Sequence, residues 1–378
     1  MVFNMSQMSE ARGWRGGRLP RGLVLKVGSA LLTPSGPLGE RAFSKISAEL
    51  STLEAAGVEL TLVSSGAIAQ GRLSMNIQER PRELSTAQAL AALGQPLLMQ
   101  RWAEALSPQR AAQVLLTMSD VSDPLRFYNA RCALRALRAL GALPIGNEND
   151  TVATEEIRFG DNDRLGAHLA RVTGAELLIL YTQVDGLYTA NPKRDSSAQR
   201  LTLVEDLSEV RSFAGGSDDE WGTGGMKTKL DAADIAHQAG CSVIIAQGGT
   251  PLLELLRDPS RGTLIPAPLS VEQALLAQWP LCGRVELSDE AAQDLHLGLA
   301  VELSACLRAH GDFTRGQLVE VSHAGESLGR ALIGYGSVDC ERASSAPQRS
   351  IGSGGSSLSD GPLIHPQDWV AYLPHSAG

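Results

Sequence analysis

Short apolar runs alternate with helical patterns from Leu23 onward over about 240 residues, and this alternation constrains the fold more than any other feature. Helical patterns cover 84–106, 128–140, 163–173 and 226–239. Runs that are apolar at nearly every position are typical of parallel strands, since helices cover both faces of such a sheet. The sequence therefore predicts a three-layer α/β/α sandwich with a mainly parallel sheet. The apolar runs are GLVLKVG, VELTLVSSG, AAQVLLT, ALPIGN, ELLILYT and CSVIIAQGG.

The alternation stops near the stretch IPAPLSVEQ, whose prolines indicate a boundary. We expect a catalytic α/β domain over 21–267 and a linker over 268–282. A small β-rich domain is expected over 283–375, because short strand-like runs such as GQLVEVS and WVAYL replace the long helices there. We expect residues 1–20 to form a disordered leader. The Ser- and Gly-rich segment 344–361 predicts a flexible loop.

Charge and cysteine content exclude several classes of protein. The formal net charge of -9 argues against a general nucleic-acid or anionic-membrane surface. The five cysteines contain no C-x-x-C pair, so neither a zinc site nor a disulfide framework is indicated. Without a long apolar segment or a signal peptide, the chain is predicted to be cytoplasmic, with no membrane contact. The cysteines are Cys132, Cys241, Cys282, Cys306 and Cys340.

The glycine-rich stretch GTGGMKTK, residues 222–229, resembles a phosphate-binding loop but fits neither common pattern. The Walker pattern needs glycines at 221 and 226, where the chain has Trp221 and Met226. The dinucleotide fingerprint fails because its sixth position is Lys227. The stretch is therefore a glycine-rich loop with two cations, and its ligand depends on the rest of the chain.

Polar residues follow the predicted strands at the edge where parallel sheets bind ligands. The first strand ends in KVGS, from Lys26 to Ser29, and Ser65 stands at the end of the second. Together with the glycines beside them they offer an ammonium group, hydroxyls and backbone N–H groups to an anion. Two plainer interpretations stay open, a surface lysine beside a turn glycine and an ordinary serine N-cap.

Further along, NEND at 147–150 and GDND at 160–163 carry side chains with oxygen atoms. These oxygens could bind an ammonium group, Mg2+ or both. Alternatively, the two segments form solvated turns. YTQVDGLY at 181–188 follows another strand. Phosphoryl transfer mainly needs positioning and positive charge, which Lys26 and Lys229 could supply from separate loops. Five segments of this kind occur in one α/β unit, and together they predict a phosphoryl-transfer site. They are KVGS, VSSGAI, NEND with GDND, YTQVDGLY and GTGGMKTK.

In their order along the chain, these motifs closely resemble the glutamate 5-kinases of the amino acid kinase family. The resemblance covers about 21–265, and 283–375 is weakly similar to a PUA domain through GDFTRGQLVEV and LIHPQDWVAYL. It implies transfer of the ATP γ-phosphate to the side-chain carboxylate of L-glutamate, the first step of proline biosynthesis. The motifs are K-x-G-S, SSGAIA, NENDTVA, FGDND, T-x-VDGLYTANP and GTGGMKTK.

The resemblance also implies roles for individual residues. Lys26 and Lys229 match phosphate-binding lysines, and Asp163 matches a carboxylate that orients them. Ser65, Asp150 and Asn162 match glutamate-binding positions. From the residues themselves, Asp150 can pair with the substrate ammonium, and Ser65 and Asn162 can donate to its α-carboxylate. The nucleotide-binding positions are Lys26, Thr182, Gln183, Thr223, Gly224, Gly225, Met226, Lys227, Thr228 and Lys229.

The chain departs from the family at two places. The family usually has Thr-Asp where this chain has Thr182-Gln183, and the Ser- and Gly-rich segment 344–361 replaces a longer helical and strand pattern.

ATP and Mg2+ are the implied cofactors, with Mg2+ on the ATP phosphates and no metal ligands from the protein. Homo-oligomerisation as a dimer or tetramer, inhibition by proline and a glutamyl-phosphate reductase partner also follow from the resemblance. One rival is a related kinase acting on acetylglutamate, aspartate or a nucleoside monophosphate. Another is an RNA-binding or regulatory protein, against which 283–375 has no dense Lys/Arg patch.

Overall fold

The structure is a computed structural model that describes residues 14–33, 36, 38–79, 81–106, 110–153, 162–192, 194–214, 225–345 and 361–372. The chain divides into two compact units. The N-terminal unit consists of Met1–Val121 and Ala133–Val271, and the C-terminal unit consists of Ser122–Cys132 and Glu272–Gly378. The C-terminal unit therefore contains a short segment from the middle of the chain.

Seven strands form the main sheet of the N-terminal unit in the order β3-β4-β2-β1-β5-β8-β9. All neighbouring strands are parallel except β8 and β9, which are antiparallel. A separate antiparallel pair is formed by β6 and β7. The strands are β1 Gly22–Val27, β2 Glu59–Ser64, β3 Arg110–Leu116, β4 Ala142–Glu148, β5 Leu177–Thr182, β6 Leu187–Tyr188, β7 Arg200–Leu201, β8 Ser242–Gln247 and β9 Thr263–Ile265.

Helices cover both faces of this sheet. Because successive side chains of a strand point to opposite faces, Leu25 and Val27 of β1 share a core with α1, whereas Lys26 lies against Gly166 of α6. Helix α1 also contacts α3, and α6 contacts α8. The predicted three-layer α/β/α sandwich is confirmed. The helices are α1 Ala42–Ala55, α2 Ala67–Ser74, α3 Leu84–Ala105, α4 Met118–Ser122, α5 Pro124–Ala139, α6 Asn162–Thr173, α7 Leu207–Val210, α8 Met226–Gln238 and α9 Leu252–Arg257.

The C-terminal unit is built on a five-stranded sheet in the order β11-β10-β12-β13-β14, in which only β10 and β12 are parallel. The β-rich character predicted for this part of the chain is therefore present. Its elements, together with the helix that leads into it, are α10 Val271–Gln278, β10 Leu281–Leu287, α11 Asp289–His296, β11 Cys306–His310, β12 Leu318–His323, β13 Glu326–Leu332, α12 Ser337–Ser345 and β14 Trp369–Ala371.

The segment Ser122–Cys132, which includes the first part of α5, packs within the C-terminal unit. Phe127 and Tyr128 are buried, and the Phe127 ring lies 5.4 Å from that of Trp279, centroid to centroid. The buried Arg131 forms an ion pair with the buried Asp368. The sequence did not predict this insertion.

Two expected segments differ from the structure. Residues 14–20 of the expected leader are folded, because Trp14 is buried in the core and Arg18 forms an ion pair with the buried Glu176. The expected linker over 268–282 instead contains α10 and the start of β10, since VEQALLAQ is rich in helix-forming residues.

Most of the predicted flexible loop, residues 346–360, lies outside the described residues, as does the start of the leader up to residue 13. Within the part of the chain that the structure describes, no helix combines the length and apolar character required to cross a membrane.

Candidate active site

The predicted binding segments meet at one edge of the main sheet, where its parallel strands end. Val27 at the end of β1 is in register with Ser64 of β2 and with Tyr181 of β5. The Ser65 N–H donates to the Val27 carbonyl at 3.1 Å, and the Gly28 N–H donates to the Tyr181 carbonyl at 3.4 Å. Parallel pairing therefore brings together segments that lie far apart in sequence.

Two lysines share one buried carboxylate at this edge. Lys26 Nζ lies 2.6 Å from Asp163 Oδ1, and Lys229 Nζ lies 3.0 Å from Asp163 Oδ2. Asp163 is fully buried, and the lysines are 8% and 5% exposed. Lys26 lies near the end of β1, Asp163 in the first turn of α6 and Lys229 in the first turn of α8. The interpretation of Lys26 as an ordinary surface lysine is therefore wrong.

The charges of this cluster govern its titration. Burial alone raises the pKa of Asp163, but the Lys26 and Lys229 ammonium groups outweigh burial and hold that pKa well below its usual range. Burial lowers the pKa of Lys229, and the Asp163 carboxylate opposes this shift. The carboxylate is ionised at neutral pH and fixes two ammonium groups near each other, an arrangement suited to an anionic ligand such as a phosphoryl group.

The described part of the glycine-rich loop leads into α8. Gly225 precedes the helix, which begins at Met226. Thr228 Oγ1 donates to the Gly225 carbonyl at 2.8 Å and to Asp163 Oδ2 at 3.2 Å. Lys227 is exposed, in contrast to Lys229. Thr223 and Gly224 lie outside the described residues.

Ser65 and Asn162 meet through their side chains. Asn162 Nδ2 donates to Ser65 Oγ at 2.9 Å and to Asn147 Oδ1 at 2.9 Å. Helix α2 begins after Gly66, whose φ of 119° lies in the left-handed region that favours glycine, and no side chain of the described residues caps it. The interpretation of Ser65 as an ordinary N-cap is therefore wrong. Its hydroxyl belongs to a polar cluster beside the two lysines.

Asp150 follows β4 and is half-buried. Burial raises the pKa of its carboxyl group to about 6. A carboxylate whose charge is poorly solvated gains from a cationic ligand, because the cation restores the lost stabilisation. Asp150 is thus a candidate partner for an ammonium group.

Thr182 is the last residue of β5, and its carbonyl accepts a hydrogen bond from the Gly248 N–H at 2.8 Å. Gln183 follows it and is exposed. Both therefore lie at the edge to which Lys26 and Ser65 belong, with the Gln183 side chain open to a ligand.

Sequence reasoning missed Gln95 of α3. This residue is buried, and its Oε1 accepts a hydrogen bond from Asn147 Nδ2 at 2.8 Å. One feature of the sequence could have revealed it. Gln95 comes four residues after Ala91 and so lies on the apolar face of an Ala/Leu-rich helix. A polar side chain on such a face needs a partner.

The fold and this site define the class. The chain belongs to the amino acid kinase family, whose model matches residues 21–247, more than half of the chain. Among its relatives are three proteins named glutamate 5-kinase. That of Rhizobium rhizogenes is 40% identical over 333 residues, covering 85% of each chain. That of Sinorhizobium fredii is 37% identical, covering 94% of this chain and 93% of the relative. That of Caulobacter vibrioides is 38% identical, covering 92% and 96%.

Proposed function

We propose that this chain is a glutamate 5-kinase, which transfers the γ-phosphoryl group of ATP to the side-chain carboxylate of L-glutamate. One observation carries the chemistry: Lys26 and Lys229 are held by opposite oxygens of the buried Asp163. The relatives named above support the choice of substrate, since they match nearly the whole length of the chain.

The reaction needs little covalent help from the protein. An oxygen of the glutamate side-chain carboxylate attacks the γ-phosphorus, and the bond from that phosphorus to the bridging oxygen breaks, leaving its electron pair with ADP. The nucleophile is already ionised at neutral pH, so no general base is required. The work of the protein is to position both substrates and to stabilise the negative charge on the moving phosphoryl group.

The two lysines are the groups proposed to do this. Asp163 holds both ammonium groups near each other at fixed positions, so that little reorganisation is needed when charge develops. The exposed Lys227 is not held in this way.

Glutamate would bind at Ser65, Asp150 and Asn162, with Asp150 as the charged partner of the ammonium group. ATP would bind along Thr182, Gln183 and the segment 223–229. Among the described residues no group of three or more His, Cys, Asp or Glu side chains could hold a metal ion. The resemblance implies that Mg2+ would be carried by the ATP phosphates, whose charge it neutralises.

A cytoplasmic location, the place in proline biosynthesis, homo-oligomerisation, inhibition by proline and a glutamyl-phosphate reductase partner are further parts of this proposal. The cytoplasmic location is the prediction made from the sequence features, and the others follow from the resemblance to glutamate 5-kinases.

The test is an assay of acyl phosphate formation with ATP, trapping the product with hydroxylamine. Glutamate, aspartate and acetylglutamate are supplied in parallel, and Lys229→Ala serves as the negative control. We expect hydroxamate with glutamate and little with the other two. A preference for acetylglutamate or aspartate would reassign the chain to a different reaction of the family, and no hydroxamate with glutamate would overturn the proposal.

A further inference from the structure

A continuous row of hydrogen-bonded side chains runs from β3 to the proposed glutamate site. Gln95 Nε2 donates to Gln113 Oε1 at 3.1 Å, and Gln95 Oε1 accepts from Asn147 Nδ2 at 2.8 Å. Asn147 Oδ1 in turn accepts from Asn162 Nδ2 at 2.9 Å. Gln95 and Asn147 are buried, 8% and 3% exposed, so water cannot easily replace these bonds.

One backbone group fixes the direction of every bond in this row. The Glu148 N–H donates to Asn147 Oδ1 at 2.9 Å, and a backbone N–H can only donate. Asn147 must therefore turn its oxygen toward Glu148 and its Nδ2 toward Gln95. This requires Gln95 to present its oxygen to Asn147 and its amide nitrogen to Gln113.

The same constraint determines which atom Asn162 offers to a ligand. Because Asn147 Oδ1 only accepts, Asn162 must approach it with Nδ2, which also donates to Ser65 Oγ at 2.9 Å. Both hydrogens of the Asn162 amide are then in use. Its Oδ1 is buried and finds no hydrogen-bond partner within the described ranges. A buried acceptor without a donor costs free energy, so a ligand that brings an N–H is favoured.

We propose that Gln95 is a positioning residue which, through Asn147, holds Asn162 Oδ1 ready to accept a hydrogen bond from the α-ammonium group of the substrate. This inference rests on the proposed function, because it takes glutamate as the substrate. It reverses the role expected for Asn162, which was donation to the α-carboxylate. Asn162 then contributes to selection for a free amino group.

The first test compares ligands on the unaltered enzyme. Glutarate lacks the α-ammonium group, and (S)-2-hydroxyglutarate carries a hydroxyl that can donate in its place. Each is measured as a competitor of glutamate. We expect the hydroxy acid to bind several-fold more tightly than glutarate, since only it can donate to Asn162 Oδ1. Equal binding of the two would overturn the assignment of Asn162 as an acceptor.

The second test concerns Gln95. Gln95→Met keeps the length of the side chain but replaces the amide oxygen with a thioether, which is only a weak acceptor for Asn147. We expect the preference for glutamate over glutarate, expressed as a ratio of kcat/KM values, to fall by about tenfold or more. The KM for ATP should stay within about twofold, because the change concerns uniform binding of one substrate. Gln95→Glu keeps an oxygen toward Asn147, and the exposed Gln113 can rotate to donate to it, so this variant should retain most of the preference.

Gln100→Met is the matched control, since Gln100 lies on the same helix but is exposed and bonds only to Glu104 among the described residues. It should leave the ratio unchanged. If Gln95→Met lowers the kcat/KM values for glutamate and glutarate in equal proportion, Gln95 is a packing residue and the inference is wrong. If the unaltered enzyme forms no hydroxamate from glutamate, the proposed function is wrong, and this inference, which rests on it, is wrong as well.

Discussion

Lys26 and Lys229 bind different oxygens of the same carboxylate, that of Asp163, at 2.6 and 3.0 Å. The two lysines are 203 positions apart, yet both ammonium groups lie within hydrogen-bonding distance of one buried residue. Lys227, only two residues before Lys229, is exposed. Three lysines at the same edge of the sheet are thus unequal, which makes their roles separable by mutation.

We predict that Lys26→Ala and Lys229→Ala each lower kcat by about a hundredfold or more, as removal of an electrostatic stabiliser does in other enzymes. Lys227→Ala is the control and should change kcat by less than about threefold, because Lys26 and Lys229 are the only lysines among the described residues that pair with the Asp163 carboxylate. Steady-state kinetics of acyl phosphate formation measure all three. Small and equal effects at the three positions would contradict the assignment.

The second prediction concerns the pH dependence of glutamate binding. Burial raises the pKa of Asp150 to about 6, so the carboxyl group of the free enzyme becomes neutral as the pH falls below that value. A neutral Asp150 cannot pair with the ammonium group. We expect the KM for glutamate to rise by about tenfold per pH unit below pH 6, while the KM for ATP changes little.

The control for this prediction is Asp150→Asn. This variant should have a raised glutamate KM already at pH 8 and should lack the steep rise at acid pH. If the glutamate KM of the unaltered enzyme stays constant between pH 5 and pH 7, the assignment of Asp150 to the glutamate site is wrong.

The third prediction concerns the close contact of α2 with α3. A Cβ placed on Gly94 would lie 1.8 Å from the Ala67 carbonyl oxygen and 2.3 Å from the Gly71 nitrogen. Both are backbone atoms, so the helices would have to separate. We expect Gly94→Ala to lower the free energy of unfolding by about 3 kcal/mol, measured by urea denaturation. Ala92→Ser, at an exposed position of α3, should change it by less than about 0.5 kcal/mol.

The fourth prediction concerns a chain truncated after Pro268. All five polar segments precede this point, so we expect measurable kinase activity. The truncation also removes Trp279 and Asp368, which contact Phe127 and Arg131 within the C-terminal unit. Uncovering Phe127 and Tyr128 should cost roughly 1.5–3 kcal/mol for each ring, with aggregation as the result.

A double substitution in the truncated chain, Phe127→Ser with Tyr128→Ser, should reduce the aggregation, as measured by light scattering. The same double substitution in the full chain should instead lower its melting temperature, because it removes buried rings from an intact core. The truncated chain without these substitutions is compared with the full chain. If both are equally soluble, exposure of the segment 122–132 does not cause aggregation.

The layered sheet and the meeting of the binding segments were predictable from the sequence. Parallel strands place all their carboxyl ends at one edge, so the pattern of apolar runs alone determines where Lys26, Ser65 and Thr182 lie. The motif GDND also predicted Asn162 and Asp163 as candidate site residues, and their side chains contact Ser65 and Lys26 at this edge.

Contacts between distant positions were not predictable. Asp368 lies 237 positions from Arg131, and Glu176 lies 158 positions from Arg18. Nothing in the local pattern of α5 marks its first residues as part of the C-terminal unit, and an arginine-rich leader predicts disorder until its partner Glu176 is known. Gln95 was missed for the same reason, because its partner Asn147 lies 52 positions away.

The last prediction concerns Gln183, where the chain departs from the Thr-Asp pattern of the glutamate 5-kinases. Thr182 ends β5 and is bonded to Gly248, so the strand holds the start of this loop whichever residue follows. Glutamine both donates and accepts and is neutral, whereas aspartate only accepts and adds a negative charge near the nucleotide. We expect Gln183→Asp to change the KM for ATP, or the preference for ATP over GTP, by several-fold. The glutamate KM should stay constant.

Kinetics with both substrates varied decide this prediction, since a change in KM at constant kcat reports uniform binding of the nucleotide. Gln293→Asp is the control, because it adds the same charge at an exposed position of α11 in the C-terminal unit. It should leave both KM values unchanged. If Gln183→Asp altered only the glutamate KM, Gln183 would belong to the amino acid site, and the departure from the family pattern would concern substrate choice instead of the nucleotide.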